Sequence, residues 1–266
     1  MWILFIAAAL AVVIYFFLIC PSLGKKSGFF KKHKRFAHRG LWGGALPENS
    51  MAAFSLAAEK GYGIELDVHT TLDGVAVVHH DDSLKRICGV DKSIEKSEYA
   101  EISGVTLPNG EILPLFSDVL GLVSGRVPIM IELKCEKTDV RVADVALKCL
   151  EGYEGEICIE SFDPIVCRRA KKLAPRVPCG QLAGRTYAEG DSAKRKMIKF
   201  IAERLLFNFI SRPDFVSYQI SNRFNISFRL CRLIGADVSF WTVRNSDELK
   251  ICDQKGAAAI FEGIEA

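Results

Sequence analysis

The sequence predicts an α/β protein: a (β/α)8, or TIM, barrel with a small insertion after its second strand, preceded by one apolar N-terminal helix. Three observations carry this prediction. From residue 35 onward, short apolar runs alternate with amphipathic stretches, the pattern of parallel strands buried between helices. The strand candidates number eight, enough to close a ring rather than leave an open sheet. About 230 residues follow the N-terminal segment, within the usual range for one such barrel.

The N-terminal run 2–20 (WILFIAAALAVVIYFFLIC) contains no charged residue. At helical rise it is about 28 Å long, close to the hydrocarbon thickness of a bilayer. A cleaved signal peptide ordinarily has a basic start, a shorter apolar run and a small-x-small site. Neither the basic start nor the site occurs here, so the run reads as an uncleaved single-pass anchor. Small residues do not precede Cys20, which is not read as a lipid site. The basic flank lies entirely C-terminal to the helix, which places the rest of the chain in the cytoplasm. Nine cysteines without a CxxC pair argue against a zinc ribbon or redox dithiol and suit a reducing compartment. Cys158, Cys167, Cys179 and Cys231 sit among apolar neighbours and read as core.

The formal net charge is +3, but six Lys or Arg fall within 25–35 with no acid among them. The remainder carries about −3, which argues against a nucleic-acid-binding face. The organisation is therefore an anchor at 1–24, a basic juxtamembrane linker at 25–34 and a barrel domain at 35–266. The linker is expected either to lie against anionic headgroups or to be an ordinary solvated flank.

Strands are expected at 35–38, 63–69, 128–134, 156–161, 178–182, 215–219, 237–242 and 257–261. Helices are expected at 50–60, 114–124, 139–151, 163–174, 192–210, 222–234 and 246–255. Asn49 and Ser50 supply a cap for the first of these and Gly61 its end. Asp163-Pro164 opens another, with proline in its first turn, and Gly235 closes 222–234. Residues 75–113 contain an extra strand-like piece at 75–79 and several turn signals, hence the insertion.

Ionisable residues cluster where the barrel strands end. His38-Arg39-Gly40 follows the first strand. In Glu65-Leu66-Asp67-Val68-His69 the two acids share a face, because successive strand side chains alternate. The apolar face must meet the outer helices, so the acids point into the barrel. By the same rule Glu132 and Lys134 point inward from the strand at 128–134. His79-His80-Asp81 closes the extra strand. Carboxylates facing one another in a barrel repel and lose hydration unless a positive charge sits between them, and a hard divalent cation meets that need. Two histidines beside such a site supply an acid and a base, and Arg39 and Lys134 could neutralise an anionic group.

These stretches resemble the glycerophosphodiester phosphodiesterase family. The likeness runs through Ala37-His38-Arg39-Gly40, Pro47-Glu48-Asn49-Ser50, Ala53-Phe54, Gly61, Glu65-Leu66-Asp67-Val68, Asp73-Gly74 and Val77-Val78-His79-His80-Asp81. It continues through Leu84-Lys85-Arg86, Ile131-Glu132-Leu133-Lys134, Ser161-Phe162 and Trp241-Thr242-Val243, and so covers nearly all of 35–245. The resemblance implies His38 and His80 as general acid and base. It implies Glu65, Asp67 and Glu132 as ligands of one divalent ion, Ca2+ or Mg2+. It implies Arg39 and Lys134 as phosphate-binding residues, and Trp241 as part of the pocket. The chain departs from the family pattern at Arg244, where Asn is usual, and across 256–263.

The implied activity is hydrolysis of a glycerophosphodiester to sn-glycerol 3-phosphate and an alcohol. One alternative is lysophospholipase D action on membrane lysophospholipids, and another is a tethered binding protein without catalysis. His69 and His79 are read as structural and His33 as solvated. Glu48 is read as an orienter, Asn49 as a cap, Asp81 as a support for the His80 loop, and Trp42 and Phe54 as packing.

Overall fold

The computed structural model describes residues 1–23 and 28–266. Its centre is a closed ring of eight parallel strands. These are β1 (Arg35–His38), β2 (Gly63–Thr70), β4 (Ile129–Leu133), β5 (Ile157–Ser161), β6 (Cys179–Ala183), β7 (Phe215–Gln219), β8 (Asp237–Val243) and β9 (Ala258–Phe261). Neighbours pair in that order, and β1 closes the ring by pairing with both β2 and β9. β3 (Ala76–Val78) lies outside the ring, antiparallel to β2, as expected for the insertion.

The helices that follow are α3 (Met51–Glu59), α6 (Phe116–Val123), α7 (Arg141–Cys149), α8 (Pro164–Leu173), α9 (Ala193–Glu203), α11 (Ile226–Ile234) and α12 (Ser246–Lys255). Local chemistry sets their starts. Ser50 Oγ accepts from Ala53 N, Asp163 Oδ1 accepts from Ile165 N, and Asn225 Oδ1 accepts from Ser227 N. Their apolar faces pack on the outward side chains of the strands, such as Ile64, Leu66, Val68, Ile129 and Ile131.

Two expected helices need correction. The helix expected at 192–210 is broken: α9 ends at Glu203 and a single turn, α10 (Asn208–Ser211), follows. The buried Tyr218 hydroxyl donates to Glu203 O (2.7 Å), and Leu205, also buried, takes a left-handed φ of 57°. The helix expected at 222–234 starts four residues later, at Ile226, behind the Asn225 cap and after a 3-10 turn (Ile220–Asn222). The insertion has a small core of its own. Leu84, Ile94, Ile102, Leu107 and Leu113 pack with Val77 around the single turns α4 (Lys85–Cys88) and α5 (Tyr99–Ile102).

The segment expected to be a linker is part of the barrel where it is described; Lys25 and Lys26 lie outside the described residues. α2 (Phe29–Lys32) places Phe29 and Phe30 under the N-terminal end of the ring, against Phe36, Met130, Cys158, Phe215, Ala258 and Ile260. This floor requires glycine at two strand positions. A Cβ on Gly180 would come within 2.2 Å of the Phe215 ring, and one on Gly63 within 2.7 Å of Phe36. Lys32 and His33 both pair with Glu156, just before β5, and Lys34 Nζ donates to Gly256 O, before β9. His33 is therefore hydrogen-bonded to Glu156 (2.8 Å) rather than simply solvated. These basic residues sit at the floor end of the barrel.

α1 (Trp2–Ile19) is the one helix among the described residues long and apolar enough to cross a membrane. Only its last turns touch the barrel. Tyr15 bonds Ser227 (2.7 Å), Asn208 Nδ2 donates to Ile19 O (2.9 Å), and Arg212 Nη1 donates to the carbonyls of Phe17 and Cys20 (3.0 Å each).

If the floor is integral to the fold, Phe30→Ala leaves a cavity under Phe215 and costs about 3–5 kcal/mol. Urea unfolding of the full chain measures this; a loss under about 1 kcal/mol would contradict it.

Candidate active site

The C-terminal ends of β1, β2, β4 and β5 bring the expected residues together. Strand register aligns His38 with Glu65, Asp67 with Glu132, and Glu132 with Glu160. Oxygens of Glu65, Asp67 and Glu132 lie within 4.8 Å of one another, and all three side chains are buried. Lys134 Nζ sits 3.1 Å from Asp67 Oδ1 and 2.8 Å from Glu132 Oε1. Arg39 takes a left-handed φ of 59° at the strand end. There its backbone N donates to Glu65 Oε2 (2.9 Å), and its guanidinium reaches Glu48 Oε1 (2.9 Å) and Asp67 Oδ2 (3.5 Å). The next residue must be glycine: a Cβ on Gly40 would lie 2.9 Å from the Ala53 backbone, at a φ of 79°.

A cavity of about 430 Å³ opens over this layer, lined by His38, Arg39, Glu65, His80, Glu132, Lys134 and Glu160 on one side and Phe162 and Trp241 on another. Trp241 is anchored through Nε1 to Ser217 O (3.1 Å) and stands edge-on to Phe162 at 5.7 Å.

Positive charge is in deficit here. Burial, then the neighbouring acids, drives Glu65 well above the usual carboxylate range. Burial pushes Glu132 up to about 7, against the pull of Lys134. Glu160 also rises, by burial and then by Glu132, and its Oε2 has no hydrogen-bond partner. Asp67 moves the other way. Burial alone would raise it, but Lys134, His80 and Arg39 hold it far below its ordinary value, with help from an Asn49 hydrogen bond. An all-oxygen donor set with unpaired buried oxygen fits one hard divalent cation.

The two histidines are held alike. His38 Nδ1 lies 2.6 Å from Glu262 Oε2, and Arg244 Nε donates to the other oxygen of that carboxylate (2.6 Å). His80 Nδ1 lies 2.6 Å from Asp81 Oδ1, and Arg86 Nε donates to Asp81 Oδ2 (2.5 Å). Each imidazole is thereby gripped at Nδ1. Burial lowers both, His80 to about 4, against the pull of the carboxylates beside them.

The remaining readings divide. Glu48 does orient, since it accepts from both Arg39 and Arg86. Asn49 does not cap α3; its Nδ2 donates to Asp67 Oδ2 (2.8 Å), and Ser50 is the cap. His79 faces away and bonds Asp81 O, while His69 is held by Glu95 and the His80 carbonyl. Phe54 is core, but Trp42 is 37% exposed.

Sequence reasoning missed Glu160, Glu262 and Arg244 as site residues. Glu160 had a signal: it alternates with Cys158 on a buried strand, as Glu132 does with Met130. Glu262 and Arg244 had none beyond departing from the family pattern, because their pairing depends on how β8 and β9 end.

Residues 38–262 match the model of the glycerophosphoryl diester phosphodiesterase family. The chain belongs to that family. A glycerophosphodiester phosphodiesterase of Caldanaerobacter subterraneus subsp. tengcongensis is 27% identical over 238 residues, 85% of this chain and 91% of that protein. The protein named "Probable glycerophosphodiester phosphodiesterase 2" of Mycobacterium tuberculosis is 32% identical over 138 residues, and the chain spans about half (51%) of its length. The structure of an Oleispira antarctica phosphodiesterase in complex with the product sn-glycerol-3-phosphate superposes with a TM-score of 0.71 at 22% identity, over 88% of this chain and 94% of that one. A likeness at that identity shows a shared fold.

Glu262 gives a pH prediction. Burial would raise its carboxyl, but the His38 hydrogen bond and Arg244 hold it at about 2. Its folded value lies below the unfolded one, so its stabilisation is present above about pH 4.3 and is lost as pH falls towards 2. Glu262→Gln should lower Tm by about 2–4 °C at pH 6, roughly 1 kcal/mol, with the gap narrowing below about pH 4.3, to about half by pH 3, and closing near pH 2. A gap that persists unchanged at pH 3 would contradict this pairing.

Proposed function

We propose that this chain hydrolyses glycerophosphodiesters to sn-glycerol 3-phosphate and an alcohol, aided by one divalent ion, Ca2+ or Mg2+. The observation that carries the reading is the convergence of Glu65, Asp67 and Glu132 within 4.8 Å, in a cavity that also exposes His38 and His80. The three carboxylates would hold the ion, with Glu160 beside them. Bound there, the ion would withdraw charge from phosphoryl oxygens and help generate the nucleophile.

The chain's own residues account for the rest. Arg39 and Lys134 face the cavity as fixed cations for the phosphate, Arg39 as a planar fork. One neutral imidazole takes a proton from the attacking oxygen, and the other, once protonated, gives one to the departing alcohol oxygen. The carboxylate on each Nδ1 keeps the proton there and directs Nε2 to the substrate. Phe162 and Trp241 form an apolar wall suited to the carbon skeleton of glycerol or of the leaving alcohol.

The anchor reading belongs to the same proposal. α1 is exposed and apolar over most of its length, as a helix in lipid would be. The free cysteines and the one-sided basic flank favour a cytoplasmic barrel. Proximity to lipid favours a second substrate class, lysophospholipids, cut at the same bond to release lysophosphatidic acid.

Purified full-length protein should release glycerol 3-phosphate from glycerophosphocholine or glycerophosphoethanolamine with added Ca2+ or Mg2+, read by phosphorus NMR. EDTA should abolish turnover, and His38→Ala or His80→Ala should each lower kcat about 10²–10⁴-fold. Turnover that survives both EDTA and His38→Ala sinks the mechanism. Tight ligand binding without turnover would instead favour a binding protein. Lysophosphatidic acid from a lysophospholipid would assign the lysophospholipase D activity.

A further inference from the structure

The way α1 docks decides which end of the barrel meets the membrane. In a parallel barrel, a helix that follows a strand begins at the active-site end and finishes at the floor. α11 follows β7, so Ser227, near its start, lies at the active-site end. Pro213, just ahead of β7, lies at the floor. Tyr15 bonds Ser227, whereas Ser22 N donates to Pro213 O (2.8 Å). The chain therefore descends the barrel's flank over residues 15–22, from the active-site rim to the floor. Residues 2–14 run the other way, out past the rim.

Length then constrains depth. Those thirteen free residues make about 20 Å of helix, against about 30 Å of bilayer hydrocarbon. α1 as a whole, 18 residues and about 27 Å, approaches that thickness only when the turns docked on the barrel are counted. For α1 to span, the barrel corner beside Tyr15 must sink into the near interface. That corner carries Phe224 and Ile226, each 70% exposed. Arg223 lies over the Phe224 ring at 4.5 Å. In the adjoining loop after β6, Arg185 lies 5.9 Å from the ring centre of Tyr187, which is 37% exposed. Among the described residues neither guanidinium pairs with a carboxylate; Arg223 donates only to Ile220 O (3.1 Å). Aromatic and aliphatic side chains backed by arginines without a carboxylate partner match an interface rich in anionic headgroups.

We propose that the active-site rim seats on the bilayer, with Phe224, Ile226 and Tyr187 in the interfacial layer and Arg185 and Arg223 at anionic headgroups. This rests on the reading of α1 as a membrane span. The barrel mouth then opens towards lipid, and a phosphodiester can enter it while its acyl chain stays in the membrane. The basic residues of the floor face away from the bilayer.

The test uses the full chain in phosphatidylcholine–phosphatidylglycerol vesicles, with or without bromine on the upper acyl chains, and reads tryptophan quenching without turnover. Phe224→Trp reports on the rim. Leu173→Trp, exposed at the floor end of α8, is the control. The difference between wild type and Trp2→Phe reports on the anchor itself. The expected result is at least a twofold quench of the emission added at position 224, none at 173, and a quenched Trp2. Quenched Trp2 with unquenched Trp at 224 would overturn the rim contact while leaving the anchor intact. If Trp2 is also unquenched, the anchor reading fails with it. A Trp at 224 that lipid does not quench, in a chain that sediments as a dimer, would give this face to a second copy and likewise overturn the proposal.

Discussion

Everything in this structure turns on acidic side chains held too close together inside a closed ring. With oxygens within 4.8 Å, each ionised pair among Glu65, Asp67 and Glu132 repels by at least about 3 kcal/mol at an effective dielectric near 20. Three such pairs approach the whole net stability of an ordinary domain. Lys134 and Arg39 offset part of this, but Arg39 is shared with Glu48, and Glu160 adds a further buried acid. The arrangement persists because the fold leaves it little choice. β1, β2, β4 and β5 fix the height of each carboxylate by register, and an aromatic floor of Phe29, Phe30, Phe36 and Phe215 closes the ring below. Protonation of Glu65 and Glu132 would relieve the repulsion in part, and a divalent cation held among the three would relieve more of it.

Around that charged layer the site is ordered by pairs. Two imidazoles face one cavity, each held at Nδ1 by a carboxylate that an arginine clamps in turn. The supports have different origins. Asp81 and Arg86 lie within six residues of His80, so a local loop delivers them. Glu262 and Arg244 lie just past the ends of β9 and β8 and reach His38 only because the ring closes through β9 onto β1. Closure of the barrel is thus also what completes the second histidine's support.

Much of this was legible in the sequence, and the reason is periodicity. Alternation on buried strands was enough to aim Glu65, Asp67 and Glu132 inward, and alternation of runs was enough to count eight strands. The same rule would have found Glu160. Three kinds of information were not legible. Asn49 reads as a helix cap because its side chain and that of Ser50 are equally suited to capping; tertiary structure turns Asn49 to Asp67 instead. The basic stretch after α1 reads as a linker because its charges mask Phe29 and Phe30, which the floor of the barrel buries. The break after Glu203 depends on a Tyr218 hydroxyl from a distant strand, which no local propensity reports.

The central claim is that the carboxylate layer is built for one divalent ion, and calorimetric titration of Ca2+ and Mg2+ into the metal-free full-length protein addresses it most directly. The account predicts binding of one ion per chain, a rise in Tm of several degrees at saturating metal, and loss of both in Glu65→Gln. No binding heat and an unchanged Tm with either ion, in a chain that is folded and monodisperse, would contradict it.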